Sequence, residues 1–198
     1  MANAQTIQKF YQTAYSSDFS RDFLFRVKLI QGRGLPSFSP DELVYVKAAS
    51  LPAREIQNVK VPYMGLNFNI PGGVTYPGSD QYELEFFVDA AGDVRRRFEI
   101  TSRQLFNDLS STGAYETPDQ SSIIRLVQLD KGLNELDEYT LVGASIRKIN
   151  PIEYKISEGK GEAVTCKMTV AYHYYITASV GGLTVNNEYL NTVSVLQP

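Results

Sequence analysis

The chain has 198 residues, 43% of them hydrophobic and 21% charged, which is ordinary for a folded protein of one domain or at most two small ones. A formal net charge of −3 lacks the basic surplus of a domain that grips nucleic acid. The single Cys excludes an internal disulfide and a cysteine-based zinc cluster. No apolar run approaches the ~18 residues of a membrane helix, and residues 1–20 lack the order of a signal peptide. We therefore expect the protein to be made and kept in a reducing, aqueous compartment.

The N-terminal half of the sequence predicts four strands after a polar arm. Residues 1–20 place a few apolar and aromatic residues at helical spacing, which is typical of a short helix or of an arm that orders against something else. Alternating apolar and polar residues then predict strands over 23–30, 43–49, 63–70 and 81–89. In the last of these, Tyr82, Leu84, Phe86 and Val88 face one way, and Glu83, Glu85, Phe87 and Asp89 face the other.

Glycine and proline mark the connections between these strands. Residues 31–40 contain two Gly and two Pro and predict a loop. Pro52 ends the second strand because proline has no N–H for the ladder, and residues 53–62 are expected to continue in an extended conformation. Residues 71–78 contain Pro-Gly-Gly and Pro-Gly, which predict a turn-rich link to the next strand.

One helix is predicted. It begins near Asp93, whose carboxylate can accept the unpaired N–H groups of a helix start. Its stripe, apolar apart from one Thr, consists of Val94, Phe98, Thr101, Leu105 and Leu109 at spacings of three and four. The opposite side carries Arg95, Arg96 and Arg103.

The C-terminal half predicts further strands, and the last of them is the longest. We expect a surface loop over 110–122, followed by strands over 123–129 and 139–149. A short strand over 152–156 and a tight turn over 158–161 are expected next. Residues 164–176 then alternate without a break, with Cys166 on the apolar face and Thr165, Thr169 and His173 on the other. At about 3.3 Å per residue, such a strand would run to roughly 40 Å.

These elements predict a mainly β fold, an antiparallel β-sandwich or small barrel with one flanking α-helix. Strands with one apolar and one polar face suit an antiparallel sheet whose second face meets water or another subunit. We expect an N-terminal arm over 1–20, a β domain over 21–177 and a C-terminal extension over 178–198.

The reactive residues do not combine into a catalytic, cofactor or metal site. His173 is the single His, and Cys166 is predicted on the opposite face of the same strand, so no Ser-His-Asp or Cys-His arrangement forms. The acids Glu83, Glu85 and Asp89 lack a companion calcium loop. We expect no cofactor, no metal and no enzyme activity.

Short motifs follow one another at characteristic spacing. They include Leu24-Phe25-Arg26-Val27, Val46-Lys47-Ala48-Ala49-Ser50-Leu51-Pro52-Ala53, Val61-Pro62-Tyr63-Met64-Gly65, Tyr139-Thr140-Leu141-Val142-Gly143-Ala144 and the strand that starts at Val164. The series covers roughly residues 18–176 and resembles the tail tube proteins of contractile-tailed, T4-like bacteriophages. The loop over 110–122, the run between Gly143 and Pro151, and residues 178–198 depart from that pattern.

The resemblance implies a structural virion protein. Its β-sandwich subunits would form hexameric rings that stack into a tube, the conduit for genome ejection inside the contractile sheath. The implied partners are further copies of the chain, the tail sheath protein, and baseplate and tail terminator proteins, with transient, non-specific passage of DNA and no membrane. The implied location is the virion tail, after assembly in the host cytoplasm.

Three groups of residues are candidates for such an assembly. A channel that conducts DNA should not grip it, so acidic or neutral polar groups suit its lining. The lumen-facing candidates are Glu83, Glu85 and Asp89 or Thr165, Thr169 and His173; the ring-stacking candidates are Arg33, Phe38, Leu51 and Arg54; the sheath-facing candidates are Arg95, Arg96 and Arg103. The simpler alternatives are contact with a neighbouring subunit or the outside for the lumen-facing candidates, ordinary loops for the ring-stacking candidates, and plain solvent exposure for the sheath-facing candidates.

Rival functions stay open at this point. A tube-fold baseplate or tail-terminator protein would form one ring rather than a polymer, and a related tube of a secretion system or bacteriocin would share the architecture. A monomeric ligand-binding β-sandwich module would explain the aromatic residues and loops equally well. Such a module should show a concave aromatic cleft.

Overall fold

A computed structural model describes residues 20–113, 120–154 and 161–179, together with Ile7, Lys9 and Gln12. Most of the predicted N-terminal arm, the tip of the loop over 110–122, most of the turn over 158–161 and residues 180–198 lie outside the described residues. Ala178 and Ser179 form the end of the last described strand. None of the helices among the described residues combines the length and the apolar character needed to cross a membrane.

The described residues form two four-stranded antiparallel sheets. Sheet I contains, in spatial order, β1 (Phe25–Gln31), β8 (Ile123–Leu129), β9 (Glu135–Val142) and β12 (Tyr174–Ser179). Sheet II contains β10 (Ser145–Ile149), β11 (Thr165–Ala171), β5 (Tyr82–Phe87) and β2 (Val46–Ala49). The remaining elements are a hairpin of β3 (Glu55–Tyr63) and β4 (Leu66–Thr75), a small hairpin of β6 (Phe106–Asn107) and β7 (Thr112–Gly113), the helix α1 (Asp93–Leu105) and a 3₁₀ helix (Glu42–Tyr45). The predicted fold class, mainly antiparallel β with one flanking helix, is confirmed.

The core lies between the two sheets. Leu84 and Phe86 of β5 and Met168 of β11 are fully buried and belong to one cluster with Ile124 and Leu141 of sheet I. The alternation predicted for β5 is therefore confirmed on its apolar face. Burial of such side chains contributes roughly 1.5–3 kcal/mol each, so this cluster is the main source of the stability of the sandwich.

The long strand predicted over 164–176 is two strands in different sheets, which corrects the prediction. β11 ends at Ala171 in sheet II, and β12 begins at Tyr174 in sheet I. The strand predicted over 139–149 divides in the same way, between β9 and β10 at Gly143. The two crossings lie side by side, since the His173 N–H donates to the Val142 carbonyl at 2.9 Å.

Gly143 is required at this double crossing. Its φ of +68° is in the left-handed region, and a Cβ at this position would lie 2.0 Å from Cδ2 of His173. The chain therefore turns here from one sheet to the other instead of continuing straight.

The strand predicted over 63–70 is the tip of a hairpin, which is a second correction. A two-residue turn at Met64 and Gly65, with φ of +48° and +80°, reverses the chain and pairs β3 with β4. The expected extended conformation of 53–62 is confirmed by β3. Pro71, Gly72 and Gly73 lie within β4 rather than in a turn, and a bulge interrupts the register near them.

The remaining corrections concern the ends of elements and the short strand predicted over 152–156, whose described residues 152–154 belong to no strand. Phe23, the first residue of the strand predicted over 23–30, is 71% exposed and lies before β1, so this strand begins later than predicted. Residues 42–45 form a 3₁₀ helix where a strand was expected. The helix ends at Leu105, and Leu109 is 100% exposed beyond it.

The carboxylate that caps the helix is Asp89 rather than the predicted Asp93. Oδ1 of Asp89 accepts the Val94 N–H at 3.1 Å, and this bond lowers the pKa of Asp89. A hydrogen bond that favours the charged carboxylate acts in this direction, and the positive end of the helix dipole assists it.

Replacing Gly143 by Ala should destabilise the sandwich. The left-handed conformation costs a non-glycine residue about 1–2 kcal/mol, and the contact with His173 adds to that cost. Urea unfolding of the Gly143→Ala variant should show the loss. The double variant with His173→Ala should recover the part that comes from the clash, and an unchanged Gly143→Ala midpoint would contradict this account.

Asp89→Ala should lower the free energy of unfolding by about 1 kcal/mol at neutral pH through loss of the cap. A folded-state pKa below the ordinary value means that the stabilisation is complete above pH about 4 and is lost as the pH falls through the lowered pKa. The difference between wild type and variant should therefore shrink in acid. Asp93→Ala is the matched control and should lower the free energy of unfolding by less. A larger loss in Asp93→Ala than in Asp89→Ala would show that Asp93 is the cap, as predicted from the sequence.

Candidate assembly surface

The outer face of sheet II brings four of the predicted lumen-facing residues together. In the register of β11 with β5, Thr169 lies opposite Glu83, Lys167 opposite Glu85, and Thr165 one pair further along. Strands that alternate in this way place these side chains on the face directed away from the core. The sequence analysis gave the acids and the threonines as alternative sets, whereas the fold places Glu83, Glu85 and Thr165 on one surface.

The acids of this face are paired with lysines. Lys47 Nζ donates to Glu85 Oε1 at 2.9 Å, and this bond is the main cause of the lowered pKa of Glu85. Lys167 Nζ lies 3.7 Å from Glu83 Oε2. The face is therefore close to neutral rather than acidic. Lys47 was missed because β2 reaches β5 only through the tertiary fold.

One of these four residues, Thr169, points to this face but is only 6% exposed. The two remaining lumen candidates lie elsewhere. Asp89 binds the N-terminus of α1. His173 lies at the crossing between the sheets, beside Gly143, and not in the middle of a strand.

Ion pairs between β1 and β9 cover the outer face of sheet I over β8, the strand between them. Lys28 of β1 contacts Glu135 at 3.0 Å and Glu138 at 3.3 Å on β9, two strands away. The pKa of Lys28 is raised and that of Glu135 lowered, mainly by their mutual hydrogen bond. Between these strands Val127, which lies opposite Glu138, is only 1% exposed. Sheet II therefore has the more open outer face.

The ring-stacking candidates divide into core and surface residues. Phe38 is buried and stacks on Phe86 with ring centroids 5.4 Å apart, so it belongs to the core and not to an exposed contact. Arg33, Leu51 and Arg54 are exposed. Leu51 also lines a cleft of about 190 Å³ beside Leu24 and Leu126.

The arginines of α1 do not act as one group. Arg95 is directed toward the sandwich, where its Nη1 donates to the Asn150 carbonyl at 2.6 Å. Arg96 is exposed and pairs with Asp93 at 2.7 Å, and Arg103 is exposed further along the helix. Sequence reasoning missed Arg97, whose guanidinium bonds Glu42 at 3.0 Å and lies over the ring of Phe38 at 5.6 Å.

The β3–β4 hairpin presents an exposed surface that the sequence did not predict. Among the residues that the structure describes, its two strands pair only with each other, and the residues from Glu55 to Val74 are exposed. Six apolar side chains share one face in three cross-strand pairs, Val59 with Ile70, Val61 with Phe68, and Tyr63 with Leu66. We call this the apolar face; its members are 40–64% exposed. The signal in the sequence was alternation on both sides of Met64-Gly65, a turn dipeptide hidden within an apolar run.

The opposite face of the hairpin is polar. It carries Asn58, Lys60, Pro62, Asn67, Asn69 and Pro71, again in cross-strand pairs. Met64 at the tip is 85% exposed. An amphipathic hairpin of this kind has its apolar side available for burial against another surface.

No group of three or more His, Cys, Asp or Glu side chains within the described residues is arranged to hold a metal ion. The buried Cys166 is 3.6 Å from Arg95 Nη1, and the exposed His173 lies at the other end of the β11 region.

Three solved assemblies contain chains with this fold. A chain of the anti-feeding prophage baseplate, a 6-fold symmetrised cryo-EM structure, has a TM-score of 0.56 at 14% identity and covers 83% of this chain and 98% of its own. A chain of the anti-feeding prophage tube-terminating cap has a TM-score of 0.55 at 13% identity, covering 82% and 92%. A chain of the sheath–tube complex of the PVC extracellular contractile injection system, in its extended state, has a TM-score of 0.54 at 12% identity, covering 86% and 97%.

At these identities the similarity establishes a shared fold. No protein-family profile matches the sequence. No curated protein sequence matches it either. The chain therefore has the fold of components of contractile injection systems, whose assemblies include a tube complex, a tube cap and a baseplate.

Proposed function

We propose that the chain is a non-enzymatic structural subunit that assembles with copies of itself into rings, which stack as the inner tube of a contractile tail. The observation that carries this proposal is the exposed apolar face of the β3–β4 hairpin on a fold shared with contractile injection components. Monomeric proteins rarely expose a contiguous apolar patch of more than a few hundred Å², and such patches mark interaction sites. A subunit whose interface forms only in the assembly accounts for the patch.

The ring size, the partners and the contact surfaces follow as parts of the same proposal. The rings are hexamers, as in the T4-like phage tubes that the sequence resembles, and the 6-fold symmetry of the baseplate structure supports this number. The tube lies within a sheath, is closed by a terminator and starts from a baseplate, and it conducts the genome during ejection from a virion. The exposed Arg96 and Arg103 of α1 meet an acidic surface of the sheath. Arg33, Leu51 and Arg54 lie at ring-to-ring contacts.

The outer face of sheet II lines the channel in this proposal. It is the more open of the two outer faces, and the ion pairs of Glu83 and Glu85 with lysines keep it close to neutral. A neutral lining suits a conduit because DNA is held mainly by cations that contact its phosphates.

A second candidate is a protein that forms a single ring. Two of the three similar chains come from a baseplate and a cap rather than from a repeated tube. Such a subunit would expose the same apolar face but would stop after one ring.

Negative-stain electron microscopy of the purified protein over a concentration series tests the proposal. Hollow tubes of uniform width are expected above a critical concentration. Single closed rings at all concentrations would favour the baseplate or cap alternative. Protein that stays monomeric throughout, in solution and when mixed with preformed tubes, would contradict the proposal.

Reversing the charge of Glu83 and Glu85 tests the channel face. The Glu83→Lys/Glu85→Lys variant should still form tubes, since both side chains lie outside the core, but its tubes should retain double-stranded DNA fragments in a salt-dependent manner. The matched control is Asp22→Lys/Asp108→Lys, which makes the same charge change at exposed positions outside the strands of sheet II. Equal DNA retention by the two variants would refute this placement of the channel.

A further inference from the structure

The outer face of sheet I contains apolar side chains that are buried although they lie outside the core. Ile123, Val142 and Tyr174 lie opposite one another across β8, β9 and β12, and we call these three residues the outer row. The sequence neighbours of the first two, Ile124 and Leu141, are part of the core. Alternation along a strand therefore directs the outer row away from the core. Ile123 is nevertheless only 8% exposed and Val142 only 5%, and neither belongs to one of the two buried clusters.

The burial of the outer row requires a cover on the outside of the sheet. The ion pairs of Lys28 with Glu135 and Glu138 lie further along β8, beside Val127. Of the helices described beyond residue 20, α1 packs against β10 and the 3₁₀ helix against β1. β10 belongs to sheet II and β1 is the far edge of sheet I, so neither helix lies over the outer row. We therefore expect the cover to come from a part of the chain outside the described ranges.

Residues 1–19 can reach the outer row from the point where the described chain begins. Ser20 lies beside β8, where Gln128 Nε2 donates to the Ser20 Oγ at 3.5 Å. From Gln128 back to Ile123 the strand covers roughly 17 Å, at about 3.3 Å per residue. A helix covers that distance in roughly 11–12 residues, at about 1.5 Å per residue. A helical arm folded back along β8 would therefore bring residues 8–11 over the outer row.

The side chains of the arm fit this placement. Ile7, Lys9 and Gln12 are helical and exposed, in agreement with the helix predicted from the spacing of the apolar residues in this segment. Ile7 lies just past the outer row in this placement, which agrees with its exposed fraction of 62%. Phe10 and Tyr11 are then the large side chains at the outer row, and an aromatic ring is well suited to cover an apolar surface.

Residues 180–198 fit the outer row less well. They follow β12, which is the edge strand of sheet I among the described strands. Gly181-Gly182 followed by Leu183 and Val185 is typical of a two-residue hairpin turn and a further strand. Such a strand would pair at the edge of β12 and leave the outer face of the sheet uncovered.

We infer that residues 1–19 pack as a helix across the outer face of sheet I of their own chain, with Phe10 and Tyr11 over Ile123 and Val142. The sandwich then has a third layer on this side, and the outer row is closed to partners. The inference concerns a single chain and is independent of whether the protein assembles.

The reactivity of a thiol placed in the outer row tests the cover. Ile123→Cys in the full-length chain introduces the reporter, since the native Cys166 is 0% exposed. With the arm in place, its alkylation by iodoacetamide should be slow, because a buried thiol reacts only when its cover opens. Adding Phe10→Ser/Tyr11→Ser should raise the rate at least about tenfold.

The matched control adds Lys9→Ser/Gln12→Ser to the same reporter. Both positions are exposed in the arm, so the rate should stay within about twofold of that of Ile123→Cys alone. Circular dichroism and urea midpoints check that the sandwich is folded in each variant.

Disulfide trapping identifies the chain that supplies the arm. Oxidation of the Tyr11→Cys/Ile123→Cys protein should link the two positions within one chain, to the same extent at low and at high protein concentration. Peptide mass mapping detects the link. The control Gln12→Cys/Ile123→Cys should stay largely unlinked, because Gln12 is exposed and a disulfide forms only over a short distance.

Three results would overturn the inference. A reporter as reactive as in urea-unfolded protein would show that nothing covers the outer row. A slow rate that is unchanged by Phe10→Ser/Tyr11→Ser would assign the cover to residues 114–119 or 180–198. Links between chains, increasing with concentration, would make a second copy the source of the arm. If Phe10→Ser/Tyr11→Ser prevents folding, the trapping experiment alone decides. None of these results bears on the proposed function, which electron microscopy of the wild-type protein tests separately.

Discussion

The packing of three aromatic rings connects the parts of the chain that build the sandwich. Phe86 at the centre of sheet II stacks on Phe38 and meets Phe98 of α1 edge-on at 5.2 Å. These rings belong to a loop, a strand and a helix, and Phe38 of the loop is tens of residues away from the other two in the sequence. Loss of one such ring costs about 3–5 kcal/mol, a large part of the net stability of a domain. The position of the loop over 31–40 and of the helix both depend on this contact.

Electrostatic contacts around this cluster orient the helix rather than hold it. Arg97 joins α1 to Glu42 and covers the edge of the aromatic cluster, while Arg95 reaches the carbonyl of Asn150. Both contacts are only partly buried, so their contribution to stability is small beside that of the aromatic rings. With these contacts in place, Arg96 and Arg103 are directed outward, so the exposed side of the helix carries these two basic residues.

The hairpin stands in contrast to this core. An isolated two-stranded hairpin is at best marginally stable in water, and β3 and β4 pair with no other strand among the described residues. Local stability is therefore high in the sandwich and low in the hairpin, which is the usual distribution between a scaffold and a binding element. Assembly on the apolar face would supply the burial that the hairpin lacks in the single chain.

The sequence by itself determined the strands with one buried face, the helix and the fold class, because alternation at period two and spacing at three and four follow directly from which side of an element is buried. Alternation did not reveal which sheet a strand joins, so β11 and β12 were predicted as one strand although the chain crosses between sheets at His173. It also did not reveal partners distant in sequence. Phe38 was expected at the surface, but Phe86 and Phe98 enclose it, and the pairing of the sheet II acids with Lys47 and Lys167 was not predicted. Only the tertiary structure decided these points, since long-range packing and ion pairing depend on which residues folding brings together and not on their local spacing.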